Sequence, residues 1–492
     1  MTGWVLTARE RRALLLLLVV VVAVRIATLG AYPLLDPTES RYAEIARKML
    51  ETGQWLVPQV DYGVPFWGKP PLSTWLSAAT MAMFGVNEFA ARLPSLILVA
   101  GCGALVYRMQ AQRAGADAAL WALAAFATTG LVFISAGAVM TDPALAFATT
   151  LSMAGFWGAL QGRDATRLAG FAFFVGLAVG LLAKGPVAVV LTMLPVVVWT
   201  LWTRRWRAAW TRIPWVAGTL LTLALVVPWY WAAERASPGF LDYFLIGEHW
   251  QRFVEPGWKG DLYGQAHARP WGTIWLFWIA AALPWSPMAV GWFGRTVAMR
   301  RDAAQRLLRD PWCAYLLLWT LAPMLFFTVS GNVLATYVLP GLPAFALLLA
   351  EFWRPKTTDP RAVRFAVRLM LVCGIALLLV FLGVLASQGQ RFDVEFSHRA
   401  LVRTYEATRA SEGDRLVYVG QRPISAEFYA GGKAVKVDDA KALAEYRASP
   451  EADFFAVRER DLRKWSDADR AGLVEIGKYG EYRLFREAPL KQ

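Results

Sequence analysis

The stretch "ALLLLLVVVVAVRIATLGAYPLLDPTESRYAEIARKM", residues 13–49, joins two kinds of chemistry. Its first half, from 13 to about 31, is apolar over close to the roughly 20 residues that cross a hydrocarbon core. Its second half packs Asp36, Glu39, Arg41, Glu44, Arg47 and Lys48 into one short segment. Ionisable groups are thereby set at a membrane–water boundary. No convincing small-residue cleavage site closes the apolar run, which reads as a retained first helix and not as a removed signal.

Similar runs recur along the 492 residues, which are 57% hydrophobic and 18% charged. They predict a polytopic α-helical membrane protein with spans near 12–31, 89–108, 117–136, 142–160, 167–183, 186–202, 214–233, 270–293, 312–329, 333–352 and 364–387, eleven in all. The formal net charge of +14 would point to nucleic acid in a soluble chain. Here most of the arginine collects in alternate loops, so no nucleic acid is expected. The basic segments hold Arg9, Arg11 and Arg12, then Arg108 and Arg113, then Arg163 and Arg167, then Arg204, Arg205, Arg207 and Arg212. Arg295, Arg300, Arg301, Arg306 and Arg309 follow, and last Arg354, Lys356, Arg361 and Arg364. The positive-inside rule puts these on the cytoplasmic side with the N-terminus, and the alternation fits an odd number of crossings. Cys102, Cys313 and Cys373 lie far apart in apolar runs, without metal-ligand spacing.

The opposite face mixes acids, bases, aromatics and prolines. It comprises a first loop of 32–88, tight turns at Asp142 and at Lys184-Gly185-Pro186, a large loop of 234–269, a turn at Ser330-Gly331-Asn332, and everything after about 388. Residues 1–388 are expected to form the membrane domain and 389–492 a small α/β domain resting over it. In that tail "RLVYVG", "FFAVRER" and "YRLFRE" read as strands, with helical patterns at 396–411 and 438–449. It carries no evident catalytic motif.

In the first loop, Tyr42, Ile45, Ala46, Met49 and Leu50 recur with helical spacing, which predicts an amphipathic helix at the interface or packed on the bundle. Asp36-Pro37-Thr38-Glu39 fits the chemistry of a helix start, with Asp36 as the cap, and Thr141-Asp142-Pro143 repeats the pattern. Three observations favour a functional role beside the cap. Both aspartates lie on the same face, both stand where an acid must be solvated or paired, and the loop continues into "DYGVPFWGKPPLSTW", residues 61–75. That segment holds Lys69 before two prolines, among Phe66, Trp67 and Trp75. A lysine held so can meet a phosphate as a point charge.

"ESRYAEIARKML", "GKPPLSTW", "ARLPS", "MTDPA", "AKGP", "EHWQRF" and "ATYVLP" occur in the order found in bacterial aminoarabinose transferases, which the chain resembles over about residues 10–350. That family modifies lipid A and belongs with the protein O-mannosyltransferases to the GT-C glycosyltransferases. The resemblance implies a multi-helix bundle with interfacial helices in the first loop and a periplasmic C-terminal domain. It also implies transfer of a sugar from a polyprenyl phosphate, with inversion, on the outer face of the bacterial inner membrane. The family has an Asp directly before Glu-x-Arg-Tyr; Thr38 stands there, while Glu39, Arg41 and Tyr42 match, so the acid is Asp36 or Glu39. Asp142 matches the second acid and Lys69 the lysine of Glu-Lys-Pro-Pro, with Gly68 in place of the Glu. Asn332 or a neighbour replaces the lysine of the late motif, and Tyr337 is kept. A missing carboxylate argues against taking the sugar to be an amino sugar.

Breaking the C1–O bond of such a donor leaves a phosphate anion that the site must stabilise. Lys69, Arg41, Lys184, His249 and Arg252 are the candidates, with Lys259 on the same aromatic loop; Arg252 and Lys259 also suit lipid headgroups. A hydroxyl acceptor needs a base, for which Asp36 or Glu39 serves. A phosphate acceptor needs none, and the acids would then orient it or bind a divalent ion. The expected partners are the donor, a lipid or glycan acceptor, and membrane lipids. The alternatives are a lipid-linked sugar flippase or transporter, and a related enzyme acting on protein. Transporters place polar groups at mid-membrane and show internal repeats; here polar residues gather on one face, without a repeat.

Overall fold

A computed structural model describes the chain except residues 1–4, 162–165, 292–308, 354–358, 439–442, 444–445, 447–450 and 488–492. Arg163, Arg295, Arg300, Arg301, Arg306, Arg354 and Lys356, and most of the expected helix at 438–449, lie outside the described residues. Eleven helices lead through the first half: α1 (Ala8–Thr28), α2 (Thr38–Thr52), α3 (Leu72–Phe84), α4 (Glu88–Ala114), α5 (Ala116–Ala127), α6 (Gly130–Ser135), α7 (Asp142–Leu160), α8 (Thr166–Lys184), α9 (Val187–Trp202), α10 (Trp206–Arg212) and α11 (Trp215–Ala236). A π-helix over Asp242–Gln251 follows, then helices Thr273–Ala281, Pro311–Thr328, Leu342–Trp353 and Pro360–Glu395.

Seven of the described helices are long and apolar enough to cross a membrane. Several expected spans are broken instead. The run 117–136 divides into α5 and α6 at Thr128 and Thr129, and Gly130 N–H donates to Leu283 O at 2.7 Å. The run 333–352 opens as a 3₁₀ segment, Ala335–Gly341, which contains Pro340 and precedes Leu342–Trp353. Proline denies a regular helix its backbone donor there. The expected loop 32–88 contains a helix that its polar flanks concealed, α3, whose Ala78 and Met81 are buried. Helix Pro360–Glu395 runs 36 residues, about 54 Å, far beyond a hydrocarbon core, and so carries the chain out to the tail.

Small residues let the bundle close. α7 and α8 meet backbone to backbone: a Cβ on Gly176 would lie 2.6 Å from Ala148 O, and one on Gly155 2.5 Å from Phe173 N. Packing of this kind replaces the hydrophobic drive that lipid removes.

The three strands read in the tail form at Leu416–Val419 (β3), Phe454–Arg458 (β5) and Tyr482–Glu487 (β7). They join Val435–Val437 (β4) and Leu473–Tyr479 (β6) in a sheet of order β4-β3-β5-β7-β6, with β3 parallel to β4 and β5 and the other pairs antiparallel. The short hairpin of Gln59–Asp61 (β1) and Val64–Pro65 (β2) belongs to the first loop.

The tail packs on α2, which changes the reading of that helix. Its charged side is not in solvent: Glu44, Arg47 and Lys48 are all buried. Lys48 pairs with Glu427 of the tail helix Ile424–Tyr429, and Arg422 reaches Asp61 at 3.0 Å. Arg399 meets Glu88 at 2.8 Å, and Tyr429 accepts from Leu34 N–H at 2.7 Å. α2 is therefore sandwiched between bundle and tail, with ion pairs matched on its polar side.

Candidate active site

The turns and loops expected on one face do meet. α2 brings Arg41 and Tyr42, the loop before α3 brings Lys69, and the start of α7 and end of α8 bring Asp142 and Lys184. The π-helix and the residues after it supply Glu248, His249 and Arg252, and the 3₁₀ segment supplies Tyr337.

Two ion-pair groups organise the site. In the first, Lys184 Nζ donates to Asp142 Oδ1 at 2.7 Å and lies 4.6 Å from the centre of the Tyr337 ring. Asp142 is the first residue of α7 and makes no capping bond; its carboxylate is committed to Lys184 instead. In the second, Glu248 accepts from Lys69 Nζ at 2.8 Å and from Arg252 at 3.0 and 3.1 Å, while Arg252 also reaches Asp261 at 3.2 Å. Burial works to raise the Glu248 pKa, but Lys69 and Arg252 outweigh it and hold the carboxyl below its ordinary value.

Glu248 corrects the reading that the site lacks a carboxylate because Gly68 precedes Lys69. The carboxylate comes from 179 residues further along the chain. The signal was a lysine whose neighbouring acid had gone, in a chain that keeps "EHWQRF".

Arg41 is an uncommitted cation. It makes no ion pair among the described residues, and its Nε is buried without a partner. Its guanidinium nitrogens lie 3.6 and 3.8 Å from where a Cβ on Gly264 would be, in the loop that also holds Asp261. Beside it, burial pushes the Tyr42 phenol up to about 12, against the pull of Arg41 and Lys184. Tyr42 thus keeps its proton and can donate a hydrogen bond at neutral pH.

Other expected residues stand apart. Asp36 is not the cap of α2, which starts at Thr38 after Pro37 and has no side-chain cap. Asp36 faces the tail: it accepts from the Ser40 and Ser425 hydroxyls and from Ser425 N–H at 2.9 Å. Burial, the largest influence, raises its pKa, with the serine bonds opposing. Glu39 is locked to Arg92 by two 2.7 Å bonds, and accepts from Leu35 and Val139 N–H at 3.1 Å. His249 places Nδ1 2.7 Å from Phe244 O and Nε2 3.1 Å from Lys184 O, tying the π-helix to the end of α8. Burial, the largest influence, holds its pKa below the ordinary imidazole value, against the Phe244 and Lys184 carbonyls, which favour the proton. Lys259 is exposed and joins neither ion-pair group. Asn332 clasps the large loop, donating to Arg252 O and Glu255 O at 2.6 and 2.8 Å. Among the described residues no group of three or more His, Cys, Asp or Glu could hold a metal ion.

This architecture recurs in known proteins. ArnT from Cupriavidus metallidurans bound to undecaprenyl phosphate superposes with a TM-score of 0.78 at 19% identity, covering 96% of this chain and 97% of that one. The archaeal oligosaccharyltransferase AglB from Archaeoglobus fulgidus gives 0.50 at 11% identity, covering 92% and 70%. The fold is that of the GT-C membrane glycosyltransferases. Residues 11–244 match the dolichyl-phosphate-mannose-protein mannosyltransferase family. The undecaprenyl phosphate-alpha-4-amino-4-deoxy-L-arabinose arabinosyl transferase of Enterobacter sp. (strain 638) is 31% identical over 375 residues, 75% of this chain and 64% of that protein. The similarly named transferase 1 of Pseudomonas fluorescens (strain Pf0-1) is 33% identical over 364 residues, 73% and 60%. The chain is thus similar to these arabinosyl transferases, and it spans a little under two thirds of the length of these curated relatives.

Proposed function

We propose that this chain transfers a sugar from a polyprenyl-phosphate donor to a lipid or glycan acceptor of the cell envelope, on the outer face of the bacterial inner membrane. The observation that carries the reading is Arg41, a cation that makes no ion pair among the described residues and whose Nε is buried without a partner, on the same face as Lys69, Arg252 and Lys184. A phosphate anion would balance that charge, and guanidinium offers it paired donors. The names of the relatives support the donor class.

In this reading Arg41, Lys69 and Arg252 bind the donor phosphate. The C1–O bond breaks, its electron pair stays on the phosphate oxygen, and these cations stabilise the anion as it forms. The acceptor oxygen bonds to C1 from the opposite side. Asp142, oriented by Lys184, takes the proton of a hydroxyl acceptor or orients an ionised one. Tyr42 donates to the phosphate or sugar.

Titration of the purified protein with undecaprenyl phosphate, followed by native mass spectrometry, tests the phosphate site. Arg41→Gln should weaken binding on the order of tenfold or more, the scale of a charge-assisted bond. Equal binding by wild type and Arg41→Gln would remove the basis of the assignment.

A further inference from the structure

The bundle end remote from the candidate site carries an arrangement that the proposed reaction does not use. α9 starts beside the site after Pro186 and runs 16 residues to Trp202, about 24 Å along its axis. The chain then turns through 203–205 into α10. In that turn Arg204 has φ 55, the sole non-glycine residue with positive φ among the described residues. Strain of this kind persists where the surroundings fix it.

Between α9, α10 and the start of α11 lies an apolar groove of about 180 Å³, walled by Phe156, Met193, Val197, Trp206, Trp210 and Trp215. Trp206 and Trp210 leave 54% and 73% of their surface exposed. Arg204, Arg205 and Arg207 are exposed beside them and form no ion pair among the described residues. Arg207 sits 5.1 Å from the Trp206 ring and Arg205 5.8 Å from the Trp199 ring. Indole rings sit at headgroup depth, and arginine matches phosphate.

We propose that this groove binds an anionic phospholipid, with an acyl chain along Met193 and Val197 and the phosphate on Arg204, Arg205 and Arg207. Apolar walls alone would accept any lipid. Three uncompensated cations at the mouth select a negative headgroup, because each basic side chain near such a lipid adds attraction. The inference stands apart from sugar transfer and survives if that reading fails.

Delipidated protein is titrated separately with dioleoyl-phosphatidylglycerol and dioleoyl-phosphatidylcholine, and bound lipid is counted by native mass spectrometry. Wild type should prefer the phosphatidylglycerol on the order of tenfold. The triple variant R204Q/R205Q/R207Q should lose that preference while binding phosphatidylcholine as before, which shows that the groove is still formed. R204K/R205K/R207K should keep most of the preference. R361Q/R364Q, which removes exposed arginines elsewhere at the same end, should leave it unchanged. An unchanged preference in the triple glutamine variant, or an equal loss in R361Q/R364Q, overturns the site.

Discussion

Arg92→Met separates structure from chemistry in the first loop. Arg92 is fully buried. It donates twice to Glu39 and also to Leu29 O, Tyr32 O and Pro33 O at 2.7, 2.8 and 2.7 Å. It thus closes the segment between α1 and α2 onto α4. Removing it leaves the Glu39 carboxylate buried with only two backbone donors, and three carbonyls without a partner. Breaking a buried pair by deleting one member costs about 3–5 kcal/mol. Unfolding midpoints move about 2–4 °C per kcal/mol in domains of 150–250 residues and less in longer chains, so a drop on the order of 5–10 °C is expected. Glu39→Gln keeps the shape and some hydrogen bonding and should give a smaller drop. Tryptophan fluorescence during heating in detergent gives the midpoint, and sugar transfer per folded molecule gives activity. Transfer by Glu39→Gln should fall by no more than about tenfold, far short of losing a group that acts in the transition state. An unchanged midpoint with a loss of roughly a thousandfold would make Glu39 a catalytic acid and refute the clamp.

Other consequences can be measured in the same preparations. Gly185 has φ +85, and a Cβ there would lie 2.5 Å from Phe244 Cζ and 3.0 Å from His249 Cε1; Gly185→Ala should cost about 1–3 kcal/mol and impair transfer, read by midpoint and turnover. Because the Glu248 pKa is lower folded than unfolded, its stabilisation is present above the ordinary glutamate pKa, about 4.3, and lost as pH falls through the lower folded value. The midpoint difference between wild type and Glu248→Gln should therefore be full at pH 7 and shrink below about pH 4; a difference independent of pH would show that Glu248 is not held ionised. Asp36→Ala and Ser425→Ala share the loss of the Asp36–Ser425 hydroxyl contact, so each should speed proteolysis near the tail and the double variant should do so by less than the product of the two single factors. Additive effects would place Asp36 in a different role.

The repeated apolar lengths and the alternation of arginine made the bundle legible, and the motifs located Arg41, Tyr42, Lys69, Asp142, Lys184 and Tyr337, which converge. What stayed hidden were partnerships across long sequence separations. Arg92 lies inside the quoted "ARLPS", yet nothing local shows that it holds Glu39, 53 residues away. Ser425 is an ordinary serine until the tail folds back onto Asp36, 389 residues away. The Asp36-Pro37 and Asp142-Pro143 steps look alike as helix starts, but tertiary partners took both carboxylates from capping. Helix breaks at Thr128 and within 335–341 escaped because an apolar run fixes length and not continuity.

Sugar transfer itself tests the central claim most directly. Membranes containing the chain, supplied with undecaprenyl-phosphate-linked sugars and envelope lipids, are assayed by mass spectrometry for released undecaprenyl phosphate and glycosylated acceptor. Wild type should produce the two in equal amounts; Arg41→Gln should lose on the order of a hundredfold or more at unchanged midpoint, and Asp142→Asn, which also breaks a buried ion pair and so lowers the midpoint, should lose as much per folded molecule. Full transfer by both variants, or no release by wild type from any polyprenyl-linked sugar, would contradict the account.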